Sequence, residues 1–130
     1  MDKKTSEYFS LRRLLKSFSY AFAGIAFCLR TQRNAFVHLT AAITVIAGGV
    51  YFDVSPDDWR WLALCIALVW FAELVNTAFE HLCDVVSPEF SPSVKRSKDI
   101  AAGAVLICAA GAAVIGILTF LPYVLPFFHQ

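Results

Sequence analysis

From Ile100 to Phe128 the chain carries no charged side chain, and that run most limits what it can fold into. About 20 consecutive apolar residues suffice for a helix to cross a bilayer. The stretch therefore predicts a transmembrane helix with residues to spare, whose last turns Pro122 and Pro126 are expected to end or kink. A second run extends from Ala35 to Phe52, interrupted only by His38 near its start. A third begins near Trp59, is continuously apolar from Trp61 to Ala72, and continues as a mixed helix towards Val86. Composition agrees: 58% of the residues are apolar and 16% charged, where a soluble domain carries about a quarter charged. A soluble globule of 130 residues has too much surface to hide so much apolar material. The same richness excludes a disordered chain, and four cysteines are too few for a disulfide scaffold. A net charge of +1 gives no basic excess for nucleic acid.

Ahead of the first span, Leu11, Leu14, Leu15, Phe18, Phe22, Ile25 and Leu29 recur at three- and four-residue steps. Arg12, Arg13, Lys16, Ser17 and Ser19 lie off that stripe, as in a helix lying in the membrane interface rather than a signal peptide. The sequence thus predicts an all-α membrane protein in one domain over 1–130: an N-terminal amphipathic interfacial helix within 1–34, then transmembrane helices at 35–52, 59–86 and 99–128. Seven of the eleven basic residues precede Asn34: Lys3, Lys4, Arg12, Arg13, Lys16, Arg30 and Arg33. The loop from Asp53 to Arg60 holds three aspartates and one arginine, whereas the loop from His81 to Asp99 holds Lys95, Arg96 and Lys98. The positive-inside rule then places the N-terminus and the second loop in the cytoplasm, and the first loop and C-terminus outside. Ser87 to Ser93 is the one linker-like stretch.

The chemistry concentrates in Phe71 to Asp84, FAELVNTAFEHLCD. At ~100° per residue Glu73, Asn76, Glu80 and Asp84 share a stripe roughly 80° wide and about 16 Å long, with Thr77 on its border. A carboxylate inside a bilayer costs at least ~2.5–3.5 kcal/mol and is seldom present without a role. Three acids on one stripe repel each other unless cations or protons join them. Their oxygens suit Mg²⁺, which usually shares its site with phosphate oxygens. Glu73, the deepest, is placed to take a proton from a lipid hydroxyl. The plainer alternative is that Glu73, Asn76 and Glu80 only hydrogen-bond to neighbouring helices, a task amides or hydroxyls would serve better.

Lys98 and Asp99 stand where the last span begins. Lys98 could hold phosphate with help from free helix N–H groups, or simply flank the membrane; Asp99 could also be a helix N-cap. No Walker motif or kinase glycine-rich loop is present, which excludes soluble nucleotide folds. His38 and His81 could assist phosphate, though interfacial hydrogen bonding is the simpler role. Cys28, Cys65, Cys83 and Cys108 lack CxxC spacing and read as packing residues. Trp59, Trp61 and Tyr51 form an aromatic belt. Ala101, Ala102, Gly103, Ala104, Gly111 and Gly116 favour close helix packing, consistent with an oligomer.

Glu73-Leu-Val-Asn76-Thr-Ala-Phe-Glu80-His-Leu-Cys-Asp84, followed by Lys98-Asp99-Ile-Ala-Ala-Gly-Ala-Val-Leu106, resembles the prokaryotic diacylglycerol kinase family, which includes undecaprenol kinases. The likeness covers nearly the whole chain. It implies a homotrimeric kinase of the bacterial inner membrane, with active sites shared between protomers, that transfers the γ-phosphate of ATP to a lipid alcohol. By that resemblance Glu73 would be the general base, Asn76 would help position the site, and Glu80 would bind metal. Lys98 and Asp99 would contact nucleotide, Asp84 would support the polar cluster, and Arg13 and Tyr20 would lie near the nucleotide. Mg²⁺ would neutralise charge on the phosphates. One departure stands out: Gln32, in Thr31-Gln32-Arg33-Asn34, occupies the place where the family usually has a second metal-binding glutamate. Phe90-Ser91 also replaces the Tyr-His of many relatives. Ser87-Pro88-Glu89 and Ala101 to Leu106 lean towards undecaprenol over diacylglycerol as the substrate. Two rival readings remain: a kinase-like protein weakened or inactivated by Gln32 that binds lipid or nucleotide, and a small proton- or cation-coupled transporter.

Overall fold

The structure is a computed structural model and describes residues 10–128. Lys3 and Lys4 of the basic N-terminal run lie outside the described residues. Among the described residues there is no strand. Four α-helices follow one another: α1 Leu11–Thr31, α2 Arg33–Tyr51, α3 Pro56–Val86 and α4 Pro92–Val124, and a 3-10 turn runs Leu125–Phe128. Helices α2, α3 and α4 are each long and apolar enough to cross a membrane. This is an all-α membrane protein. The chain divides into two compact units, residues 1–33 and 34–130, which are described in turn.

The first unit is α1. Its first turn closes on Ser10, whose carbonyl accepts from the Arg13 and Leu14 N–H groups at 2.8 and 3.1 Å. The apolar stripe expected from the sequence is present, and Leu11, Leu15, Phe18 and Phe22 are all exposed. An uncovered apolar stripe beside Arg12, Arg13 and Lys16 is what an interfacial helix offers to lipid. The helix stops at Gln32, which adopts extended backbone and donates its N–H to the Cys28 carbonyl.

In the second unit, lipid-facing positions stay apolar and exposed, among them Ile43, Leu64, Phe71, Ile107 and Leu118. Hydroxyls on α2 are satisfied inside the helix, Thr40 donating to the Phe36 carbonyl and Thr44 to the Thr40 carbonyl, each at 2.9 Å. Such back-bonding lets a polar side chain sit in hydrocarbon. Helix α2 ends in a Schellman motif. The Val54 N–H reaches the Gly49 carbonyl at 3.1 Å and the Asp53 N–H reaches Val50 at 3.3 Å. Asp53 takes the left-handed position, φ 48°, where aspartate is one of the few tolerated side chains.

Helix α3 starts as its sequence dictates. Ser55 caps it, accepting from the Asp58 N–H; Pro56 opens it, and Asp57 and Asp58 lie in its first turn. Its buried face is a single stripe, Leu62, Cys65, Val69, Glu73, Asn76 and Thr77. That stripe is apolar towards the α2–α3 turn and polar towards the other end. Helix α4 packs along α3 and begins earlier than the expected residue 99. Its N-cap is Ser91, with Pro92 in the first turn, so the linker shrinks to Ser87–Ser91. Pro122 lies inside α4, and the helix runs on to Val124 before tightening to 3-10 geometry. Gly103, Gly111 and Gly116 have no neighbour that an added Cβ would meet, so they do not mediate packing within the chain. The cysteines are free thiols.

At ~1.5 Å per residue α3 and α4 are each close to 50 Å long, against roughly 30 Å of hydrocarbon. With the aromatic end near Trp59 and Trp61 at one interface, the Val86 and Pro92 ends project beyond the other. The polar half of the α3 stripe therefore crosses a membrane boundary.

Candidate active site

Burial grades steadily along the polar stripe. Glu73 is 1% exposed and Asn76 5%; Glu80 is half-buried and Asp84 exposed. Thr77, on the border of the stripe by sequence, is buried as well. The Asn76 amide donates Nδ2–H to Glu80 Oε1 at 3.3 Å, which ties the middle of the column together. Among the described residues two buried side-chain oxygens have no hydrogen-bond partner: Glu73 Oε2 and Asn76 Oδ1. A native interior rarely leaves such atoms unmatched, because each costs about 1–3 kcal/mol. Both lie on the same polar stripe of α3, four residues or fewer apart.

Across from the column, His38 on α2 brings Nε2 to 3.9 Å from Glu73 Oε2. His38 also lines a cavity of about 460 Å³ together with Ala42, Leu62, Val69, Trp70 and Phe120. That cavity is largely apolar, with the imidazole, the Trp70 indole and the Cys65 thiol as its polar groups. The one sign of this contact in the sequence is faint: a lone imidazole in an apolar run. Counted along their helices at ~1.5 Å per residue, His38 lies roughly 20 Å and Glu73 roughly 25 Å from the α2–α3 turn.

At the membrane-surface end, Lys98 Nζ donates to Asp84 Oδ1, joining α4 to the foot of the column. Lys95 donates to Asp99 Oδ2 at 2.6 Å along α4. Asp99 is therefore not an N-cap: α4 starts at Pro92, and Asp99 sits two turns inside it. For the same reason Lys98 has no free helix N–H groups beside it, and any help it gives a phosphate comes from its ammonium. His81 is exposed. In the separate N-terminal unit Arg13 and Tyr20 are exposed on α1, and Gln32 is half-buried at its C-terminus.

Among the described residues no three His, Cys, Asp or Glu side chains gather as a metal cage. Mg²⁺ does not require one, since it is commonly held by one or two carboxylates plus substrate phosphates. Glu80, with the unpartnered Asn76 Oδ1 beside it, is a donor set of that kind, so the residues present fit the ion.

A family profile for prokaryotic diacylglycerol kinase matches residues 19–120, which takes in the whole column and the Lys98–Asp99 pair. The chain belongs to that family. An undecaprenol kinase of Bacillus subtilis is 40% identical over 122 residues, covering 94% of this chain and 98% of the relative. A diacylglycerol kinase of Synechocystis is 38% identical over 110 residues, 84% of this chain and 63% of that protein. A diacylglycerol kinase of Helicobacter pylori is 31% identical over 97 residues, covering 74% and 75% of the two chains. Membership of the prokaryotic diacylglycerol kinase family makes this a lipid kinase.

Proposed function

We propose that this chain transfers the γ-phosphoryl group of ATP to the hydroxyl of a membrane lipid alcohol, undecaprenol in preference to diacylglycerol, at the cytoplasmic face of a bacterial inner membrane. The observation that carries the reading is the buried, hydrogen-bond-deficient Glu73 at the deep end of a polar stripe whose other end reaches the surface at Asp84 and Lys98. The 40% identity to an undecaprenol kinase along nearly its full length favours the polyprenol. The excess of basic residues before Asn34 and in the second loop supports a cytoplasmic N-terminus and an outward C-terminus.

In this reading Glu73 accepts the proton of the lipid hydroxyl as its oxygen bonds to the γ-phosphorus. The bond from that phosphorus to the bridging oxygen breaks, and ADP leaves with the electron pair. Proton removal by a positioned carboxylate contributes typically ~10²–10⁴ in rate. Asn76 holds Glu80 in line through its amide. Lys98 and Asp99, with Arg13 and Tyr20 of the N-terminal helix, receive the nucleotide, and Asp84 keeps the Lys98 ammonium at the surface. Glu80, and Gln32 as the family's second position, would hold Mg²⁺, which when bound neutralises charge on the phosphates. The whole chain acts as one lipid-kinase domain, and Gly103, Gly111 and Gly116 of α4, where an added Cβ would meet nothing in the chain, support assembly into the family's homotrimer, with sites shared between protomers.

Labelled ATP offered with undecaprenol and diacylglycerol side by side in mixed micelles, with and without Mg²⁺, tests the reading. The expected product is undecaprenyl phosphate, formed only with Mg²⁺. A Glu73-dependent proton flux without ATP would sink the kinase in favour of a transporter. Gln32 supports a second reading, a kinase with weakened metal binding. Gln32→Glu adds one negative ligand and is expected to lower the Mg²⁺ concentration for half-maximal rate by on the order of tenfold. An unchanged Mg²⁺ requirement, with brisk turnover by the native chain, means that the amide is tolerated.

A further inference from the structure

We propose that His38 is a positioning residue for Glu73, its imidazole holding one carboxylate oxygen from α2 so that the other is turned to the acceptor hydroxyl. The inference rests on the kinase reading and adds a residue to it from outside the motif. Three observations meet at this point. Glu73 Oε2 is buried and lacks a hydrogen-bond partner. The nearest basic nitrogen is His38 Nε2, at 3.9 Å. The His38 side chain is itself only 15% exposed, and it lines a largely apolar cavity that also includes Trp70 and Cys65 but no other charged or amide side chain.

The gap of 3.9 Å is longer than a hydrogen bond, which for N–H···O closes at 2.7–3.2 Å. Catalytic hydrogen bonds are often long before substrate binds and tighten in the productive complex. Closing this one takes a movement of about 1 Å. The residue type fits the place. A neutral imidazole carries one N–H donor into hydrocarbon without the insertion cost of lysine or arginine. With the proton on Nε2 it donates to the carboxylate, fixing a side chain that would otherwise rotate freely about its last bond.

The test is steady-state kinetics of the full chain in lipid micelles, comparing His38→Leu, His38→Gln and His38→Asn. His38→Leu is expected to lose about ten- to a hundredfold in kcat, the range of one hydrogen bond to a charged group, with KM for ATP unchanged. Glutamine places an amide N–H near the position of Nε2, whereas asparagine reaches only as far as Nδ1. His38→Gln should therefore recover most of the rate and His38→Asn little of it. If His38→Leu does not fold, the Gln and Asn variants decide alone: equal rates overturn the proposal. A His38→Leu enzyme with native kcat overturns it too, as does a change confined to KM. These results are distinct from failure of the underlying reading, in which the native chain phosphorylates no lipid at all.

Discussion

Helix α3 carries two polar clusters, one near each end, and they are built on opposite plans. At the α2–α3 turn, Ser55 Oγ donates to Asp58 Oδ2 at 2.8 Å, Tyr123 Oη donates to the same oxygen at 2.6 Å, and the Ser55 N–H donates to Tyr123 Oη at 3.0 Å. Each group there is donor or acceptor to another, and the knot fastens the end of α4 to the start of α3. Two dozen ångströms along the same helix, Glu73 and Asn76 are more deeply buried, yet each keeps an oxygen without a hydrogen-bond partner. The first cluster spends its polar groups on the fold. The second withholds them, in a medium where leaving them unmatched is most costly. That cost is the reason the proposed function assigns Glu73 and Asn76, and not the Ser55–Asp58–Tyr123 cluster, to the substrate.

The largest expected effect follows from breaking the second cluster. Glu73→Gln keeps the shape of the side chain and removes the charge and the basicity. Its kcat should fall by about 10²–10⁴, while the thermal midpoint in micelles stays the same or rises because a buried charge has gone. Comparable turnover by Glu73→Gln and the native chain would refute the base assignment. A rate loss accompanied by unfolding would place Glu73 in the same class as Tyr123.

A smaller effect is expected near the turn. An added Cβ at Gly49 would fall 2.6 Å from Trp59 Cη2, so α2 and the start of α3 approach as closely as they do only because no side chain intervenes. Gly49→Ala forces the indole out of its seat at a cost of about 1–3 kcal/mol, offset in part by alanine's helix propensity, up to ~1 kcal/mol. A net loss of stability with kcat per folded molecule preserved is the expected signature, read by thermal unfolding and kinetics on one preparation. Gly48, whose added Cβ would meet Phe120 at 3.3 Å, should be the milder site.

Much of this was legible in the sequence, for identifiable reasons. The spans announce themselves because hydrocarbon admits only long apolar helices. The column from Glu73 to Asp84 is local to one helix, so helical geometry alone puts its members on one face. Contacts between helices were not legible. Nothing in the spacing of His38 and Glu73 says that α2 turns that imidazole towards α3, nor that Asp84 on α3 meets Lys98 on α4. Asp99 misled because the charged stretch before Ile100 looks like a loop, whereas Ser91 and Pro92 had already started the helix. Polar residues extend a helix beyond the membrane as readily as apolar residues carry it across. The Tyr123 knot was equally hidden, since its partners lie 65 and 68 positions apart in the chain.

That knot supplies the smallest effect and the sharpest control. Tyr123→Phe removes one hydroxyl and leaves the ring. Asp58 keeps the Ser55 hydroxyl as donor and Ser55 Oγ still caps α3, so only the tether from α4 is lost, together with an acceptor for the Ser55 N–H. A net hydrogen bond of this kind is worth about 1 kcal/mol, enough to lower the thermal midpoint by a few degrees. Because the site lies some 25 Å away along α3 at ~1.5 Å per residue, kcat and the KM for ATP should not change. If Tyr123→Phe instead slows turnover without lowering stability, the turn communicates with the site, and the division of α3 into a holding end and a reacting end must be abandoned.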